Sequence, residues 1–275
     1  MDETSLLGAV LGAIVGLILA LTGAGGGVLA VPLLVFGLHL TIHQAAPVGL
    51  VAVGLSAAVG AVLGLREGIV RYRAAAMIGI VGIIAAPAGL WLAQRIANAP
   101  LTIAFAAVLA YVSARMFRQA SRSASGGDAL RPPPTLPCVV SPEQGRLAWT
   151  LPCARALAGT GAVSGLLTGM LGVGGGFVIV PALTRYTDLQ IRSIVATSLA
   201  VIAIVSAGSV AAAAATGAIR WAIAAPFAVG ALLGLFAGRG LAKAISGPRL
   251  QQTFAVVGIL VALLLSYRGV SGLIG

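Results

Sequence analysis

Long apolar stretches alternate with short polar turns along this chain, and a polar segment divides them into two sets. The first set opens with Leu6–Leu38, interrupted by Gly23–Gly27, and continues with spans near Ala45–Leu65, Ala74–Arg95 and Leu101–Phe117. The polar segment, about Arg118–Arg155, carries Pro132, Pro133 and Pro134 and a Ser/Gly-rich run, so its first half reads as disordered or extended. The second set copies the first: a broken stretch at Ala156–Tyr186, then spans near Ile194–Ala215, Trp221–Lys243 and Leu250–Tyr267. The pattern predicts an all-α polytopic membrane protein with two tandem repeats, residues 1–117 and 156–275, joined by a linker at 118–155.

The two sets are in register at an offset of 149 residues. Gly23, Gly25, Gly26 and Gly27, followed by Val31 and Pro32, return as Gly172, Gly174, Gly175 and Gly176, followed by Val180 and Pro181. The register holds outward from the motif, from Gly12 and Gly161 to Phe105 and Phe254. Paired glycine-broken segments at matching places in two halves are the best sequence pointer to a transport site.

The broken segments decide the topology. As helices, Leu6–Leu21 would be about 24 Å long and Val28–Leu38 about 16 Å, and neither alone crosses a ~30 Å hydrocarbon core. One solution is a long kinked crossing, which gives parallel repeats. The other is a re-entrant hairpin with its glycines near mid-depth, which gives three crossings per repeat and inverted repeats. Basic residues arbitrate. With hairpins and a periplasmic N-terminus, 14 Lys and Arg fall on the cytoplasmic side and 3 (Arg95, Arg220, Arg268) outside; the best parallel solution gives 11 and 6. The inverted arrangement is preferred, with the linker cytoplasmic.

Composition agrees with a membrane location: 59% of residues are hydrophobic, 8% are charged, and mean hydropathy is +1.08. The net charge of +11 does not make a nucleic-acid surface, because the arginines are mostly single residues between apolar spans. The first residues are acidic, unlike a signal peptide, so the first hydrophobic segment is expected to be retained. Cys138 and Cys153 both lie in the linker, and in a cytoplasmic linker they are expected as free thiols. Two cysteines without further ligands make a weak zinc site.

Each glycine break precedes a short apolar helix, whose start offers free N–H groups and the positive end of a dipole. Two such ends meeting near a two-fold axis would cradle an anion without a buried cation. The plainer alternative is close helix packing through small residues. The duplicated Gly-x-Gly-Gly-Gly strings with their Val-Pro, together with Val195–Leu199 and Gly145–Thr150, resemble the sulfite exporter TauE/SafE family of bacterial permeases over nearly the whole chain. The resemblance implies export of a small sulfur-containing anion, such as sulfite or an organosulfonate, across the bacterial inner membrane.

Thr197 and Ser198 are further candidates, because their hydroxyls could donate to a bound oxyanion or else back-bond within their helix. His43, Gln44 and Arg192 lie at span mouths, where they could attract an anion or serve as plain interfacial residues. His39 and His43, spaced i,i+4, would share a face if that stretch is helical, which admits a metal pair or a pH-sensitive gate. Trp91, Trp149, Trp221, Tyr72 and Tyr186 read as an aromatic belt. All six acidic residues fall at termini, in loops or in the linker, so neither a carboxylate proton relay nor an enzyme constellation is expected. No cofactor or metal is implied. The expected partners are the anion and the lipid bilayer, with a homo-oligomer left open. A membrane-embedded anion sensor and a divalent-metal permease remain the alternative functions.

Overall fold

The computed structural model describes residues 3–22, 26–124, 137–138, 149–242 and 248–274. They form α1 (Glu3–Thr22), α2 (Gly26–Gly37), α3 (Ile42–Arg66), α4 (Tyr72–Arg95) and α5 (Asn98–Ala124), then α6 (Leu151–Leu171), α7 (Gly176–Tyr186), α8 (Ile191–Ala215), α9 (Trp221–Ala242) and α10 (Pro248–Ile274). Among the described residues, five helices are long and apolar enough to cross a membrane: α3, α4, α5, α8 and α9. Helix α5 runs beyond Phe117 and α6 starts before Ala156, so the non-helical part of the linker is shorter than 118–155. At the α6 start, Thr150 accepts the Cys153 N–H at 3.3 Å and Pro152 sits in the first turn, where its missing N–H costs nothing.

Helix pairing follows small residues. α1 packs along α9, and a Cβ on Gly12, Gly16, Gly230 or Gly234 would strike the partner's backbone. α6 packs along α4 in the same way through Gly161, Gly165 and Gly169. Without a hydrophobic force between helices in lipid, backbone approach of this kind supplies the dispersion that joins them. Direction can be read from the contacts. Gly161 meets Ile78, Gly165 meets Gly82 and Gly169 meets Ala86, so α6 and α4 run parallel. Gly54 meets Ser206, Gly60 meets Leu199 and Gly64 meets Ala196, so α3 and α8 run antiparallel. Gly258 meets Ser113 and Gly269 meets Ile103, so α5 and α10 do too. Corresponding helices that meet antiparallel are what a two-fold axis perpendicular to them produces.

Both broken segments are hairpins. Gly37, at the end of α2, packs on Leu11, so α2 returns along α1. α2 also runs antiparallel to α3: Gly27 meets Val53, and Ala30 meets Gly49. The Gly27 break thus lies beside the middle of α3, halfway between the two ends of the molecule. One end holds the starts of α3 and α5, where the Ile42 N–H bonds Asn98 Oδ1 at 3.2 Å. Arg268 Nη1 donates to Val35 O there at 3.4 Å and stacks on Phe36, a cation at the C-terminus of a half-helix. The other end holds the α3–α4 and α7–α8 turns, with Glu67 and Arg239 3.9 Å apart. These are called the His43 end and the Arg71 end below.

Two expectations are corrected. Cys138 and Cys153 are not free thiols but form a disulfide, which the chain brings together because Cys138 N–H bonds Tyr186 O at 3.1 Å beside the α6 start. His39 and His43 do not share a helix face. His39 sits in the turn between α2 and α3 with φ of 53°, and only His43 is helical.

Candidate functional site

The second glycine break is built around left-handed backbone. Gly172, Gly174 and Gly175 have φ of 72°, 74° and 66°, a region where a side chain would crowd the backbone. The Gly172 N–H closes α6 on Thr168 O at 2.9 Å. The carbonyl of Gly175 opens α7 by accepting the N–H groups of Val178 and Ile179 at 3.0 and 3.2 Å. Ser164 Oγ also donates to that carbonyl at 3.4 Å, and Thr168 Oγ1 donates to Ser164 O at 2.7 Å. The first-turn N–H groups of Gly176 and Phe177 have no acceptor within their own helix, as at any helix start. Among the described residues, the N–H groups of Val173, Gly174 and Gly175 make no backbone hydrogen bond outside the helices. Residues 172–177 are all buried. The start of a helix, with its free N–H groups and the positive end of its dipole, is a place that suits a small anion.

Ser206, on α8, faces this break. It is fully buried, its Oγ has no hydrogen-bond partner, and a Cβ on Gly174 would lie 3.7 Å from that oxygen. A buried hydroxyl left without a partner costs about 1–3 kcal/mol. Val53 links the two breaks, with its Cγ1 3.2 Å from a Cβ position on both Gly27 and Gly174. A Cβ on Gly27 would also lie 2.9 Å from Val173 O. The breaks therefore meet, but their chemistry differs. Ser164, Thr168 and Ser206 stand where the first repeat has Val15, Leu19 and Ala57. Those three hydroxyl positions are apolar in the first repeat, and that mismatch between otherwise matched copies is the signal by which sequence reasoning could have found them.

The other expected residues disperse. Gly23 and Gly25 lie outside the described residues; Gly26 and Gly27 begin α2. Gly172, Gly174, Gly175 and Gly176 form the second break. Thr197 and Ser198 are buried but engaged elsewhere: Thr197 Oγ1 accepts the Arg71 N–H at 3.0 Å, and Ser198 Oγ donates to Ile194 O at 2.8 Å. His43 and Gln44 lie on the first turn of α3 and Arg192 on the first turn of α8, at opposite ends of the molecule. His43 lines a cavity of about 170 Å³ whose walls include Leu50, Gly169 and Ser209. Ala46 forms part of the same wall and packs on Gly172, so the cavity reaches the edge of the break.

The two ends of the α3–α8 pair differ. At the Arg71 end Leu199 packs on Gly60, Ala196 packs on Gly64, and Ser193 Oγ donates to Ile69 O at 2.7 Å. The matching residues at the His43 end are Leu50 with Ser209 and Pro47 with Ala213. All four line the cavity. The same pair of helices is thus sealed at one end and parted at the other.

The family model described as sulfite exporter TauE/SafE matches residues 8–265. A "probable membrane transporter protein" of Xylella fastidiosa strain Temecula1 is 28% identical over 93% of this chain and 92% of its own length. Its counterpart in strain 9a5c is 29% identical over the same shares of the two chains. No solved structure matches this chain.

Proposed function

The chain belongs to the sulfite exporter TauE/SafE family of membrane transporters, and from that premise we propose that it exports a small oxyanion, sulfite or an organosulfonate, across the bacterial inner membrane. The observation that carries the reading is the unpaired, fully buried hydroxyl of Ser206, which lies 3.7 Å from the Cβ position of Gly174 in the second glycine break. An oxyanion there would accept from backbone and hydroxyl donors together, and charge-assisted bonds of that kind are roughly twice as strong as neutral ones. The anion would enter or leave through the His43 cavity, and the Leu199–Gly60 seal would open as the matching pair at the other end closes.

The antiparallel meeting of α3 with α8 and of α5 with α10 supports inverted repeats, which make such an exchange symmetric in mechanism. The basic residues Arg66, Arg71, Arg73, Arg118 and Arg192 at the Arg71 end support a cytoplasmic assignment for that end. The test is uptake of radiolabelled sulfite into proteoliposomes, set against sulfate, taurine and chloride as competitors. Saturable sulfite flux that Ser206→Ala weakens is expected. High-affinity binding without turnover would make the protein a sensor, and flux indifferent to Ser206 would place the site elsewhere.

A further inference from the structure

A second concavity lies apart from the glycine breaks, between α5, α6 and α7 on the outer surface. It is a groove of about 830 Å³, walled by apolar residues such as Val163, Leu167 and Phe177. Val163 is 52% exposed on the groove wall, so the groove opens sideways, where lipid would lie. Its long axis follows α6. The rise from Arg155 to Leu167 is about 18 Å at ~1.5 Å per residue, close to the half-thickness of a ~30 Å hydrocarbon core. At its Arg71 end it is rimmed by Arg115, Arg155 and Arg185, and no described carboxylate lines it.

The three arginines are not part of the repeat's architecture. The corresponding positions are Leu264, Leu6 and Phe36, all apolar. A general cytoplasmic excess of positive charge would scatter such residues over turns. Here three helices each deliver one to the same rim. We propose that this groove is a specific site for an anionic phospholipid, with an acyl chain along α6 and the headgroup phosphate held by Arg115, Arg155 and Arg185. Planar guanidinium groups match phosphate geometry, and basic pockets between membrane helices are a recognised mode of headgroup binding. A small oxyanion does not explain the long apolar wall, and a neutral lipid does not explain the rim.

The test is native mass spectrometry and thermal unfolding of the full chain in a mild neutral detergent, with phosphatidylglycerol and phosphatidylcholine as probes. Phosphatidylglycerol should remain as a discrete adduct and raise the unfolding temperature, and phosphatidylcholine should do neither. The triple variant Arg115→Gln, Arg155→Gln, Arg185→Gln should lower phosphatidylglycerol affinity at least tenfold. Val163→Trp keeps the charges and fills the groove, so it should lower affinity at least threefold even if the triple variant fails to fold. Arg220→Gln, at the opposite end, should change nothing. Equal retention of phosphatidylcholine would overturn the proposal. So would displacement by millimolar inorganic phosphate with Val163→Trp silent, which would make the rim a small-anion vestibule. Hydrogen-exchange protection of linker peptides that added lipid leaves unchanged would assign the groove to the linker.

Discussion

Thr197 Oγ1 accepts the backbone N–H of Arg71 at 3.0 Å, across the seam between the two repeats. The bond ties α8 to the N-cap residue of α4 at the sealed end of the α3–α8 pair. We expect Thr197 to act on the seal through this bond. Thr197→Val keeps the shape and removes the acceptor, at a cost of about 1–3 kcal/mol to the sealed arrangement. The expected outcome is sulfite affinity within twofold of the parent and faster labelling of a cysteine placed at Gly64. An affinity loss of tenfold with unchanged labelling would return Thr197 to the binding site.

Ser206 gives a sharper test, because stability and binding should move in opposite directions. Removing a buried hydroxyl that has no partner relieves a desolvation penalty, so Ser206→Ala should leave the unfolding temperature unchanged or higher. The same substitution should weaken sulfite binding by about 1.5–3 kcal/mol, the range for a hydrogen bond to a charged group. Isothermal titration and thermal unfolding on one preparation read both. A fall in stability with intact affinity would mean that the hydroxyl serves packing alone.

The glycine breaks and their duplication were legible because backbone geometry leaves a composition trace: left-handed φ at Gly172, Gly174 and Gly175 demands glycine. Length left a kinked crossing and a hairpin both open, and the distribution of basic residues favoured the hairpin. The hydroxyls of Ser164, Thr168 and Ser206 were missed because a lone serine in an apolar helix looks like any small packing residue until its neighbours are known. Of the two readings of Thr197 and Ser198, Ser198 takes the back-bonding one, donating to Ile194 O within its own helix, and Thr197 accepts from Arg71 across the repeats, a tertiary contact that the sequence does not display. The turn at His39 and the pairing of Cys138 with Cys153 depend on tertiary contacts that no local pattern carries.

Energetics supply a third prediction. The described carboxylates Glu3, Glu67 and Asp188 lie at helix ends or in a turn, outside the middle of the spans. Export of an anion from a negative interior gains about 2.3 kcal/mol per charge per 100 mV. Sulfite flux should therefore follow a potassium–valinomycin potential at matched pH. Flux that ignores the potential and requires a pH gradient would refute this, and His43, at the mouth of the cavity, would be the first residue to substitute.

The linker disulfide and the arginine distribution pull the topology in opposite directions, and one experiment separates them. Arginine-rich ends lie in the cytoplasm, whereas stable disulfides belong to oxidising compartments. The arginine signal is distributed over both repeats, and the proposed cytoplasmic assignment of that end predicts that reductants open the Cys138–Cys153 disulfide in growing cells. Cells quenched in acid and alkylated should yield mostly the dithiol form, converting to the disulfide under diamide. In a Cys138→Ser, Cys153→Ser background, single cysteines at Ser5 and His43 should react with an impermeant thiol reagent in intact cells, and one at Gln190 should not. Labelling at Gln190 alone, with the disulfide intact in unstressed cells, would turn the molecule over. The sealed Arg71 end would then face the periplasm, and the His43 cavity would open to the cytoplasm.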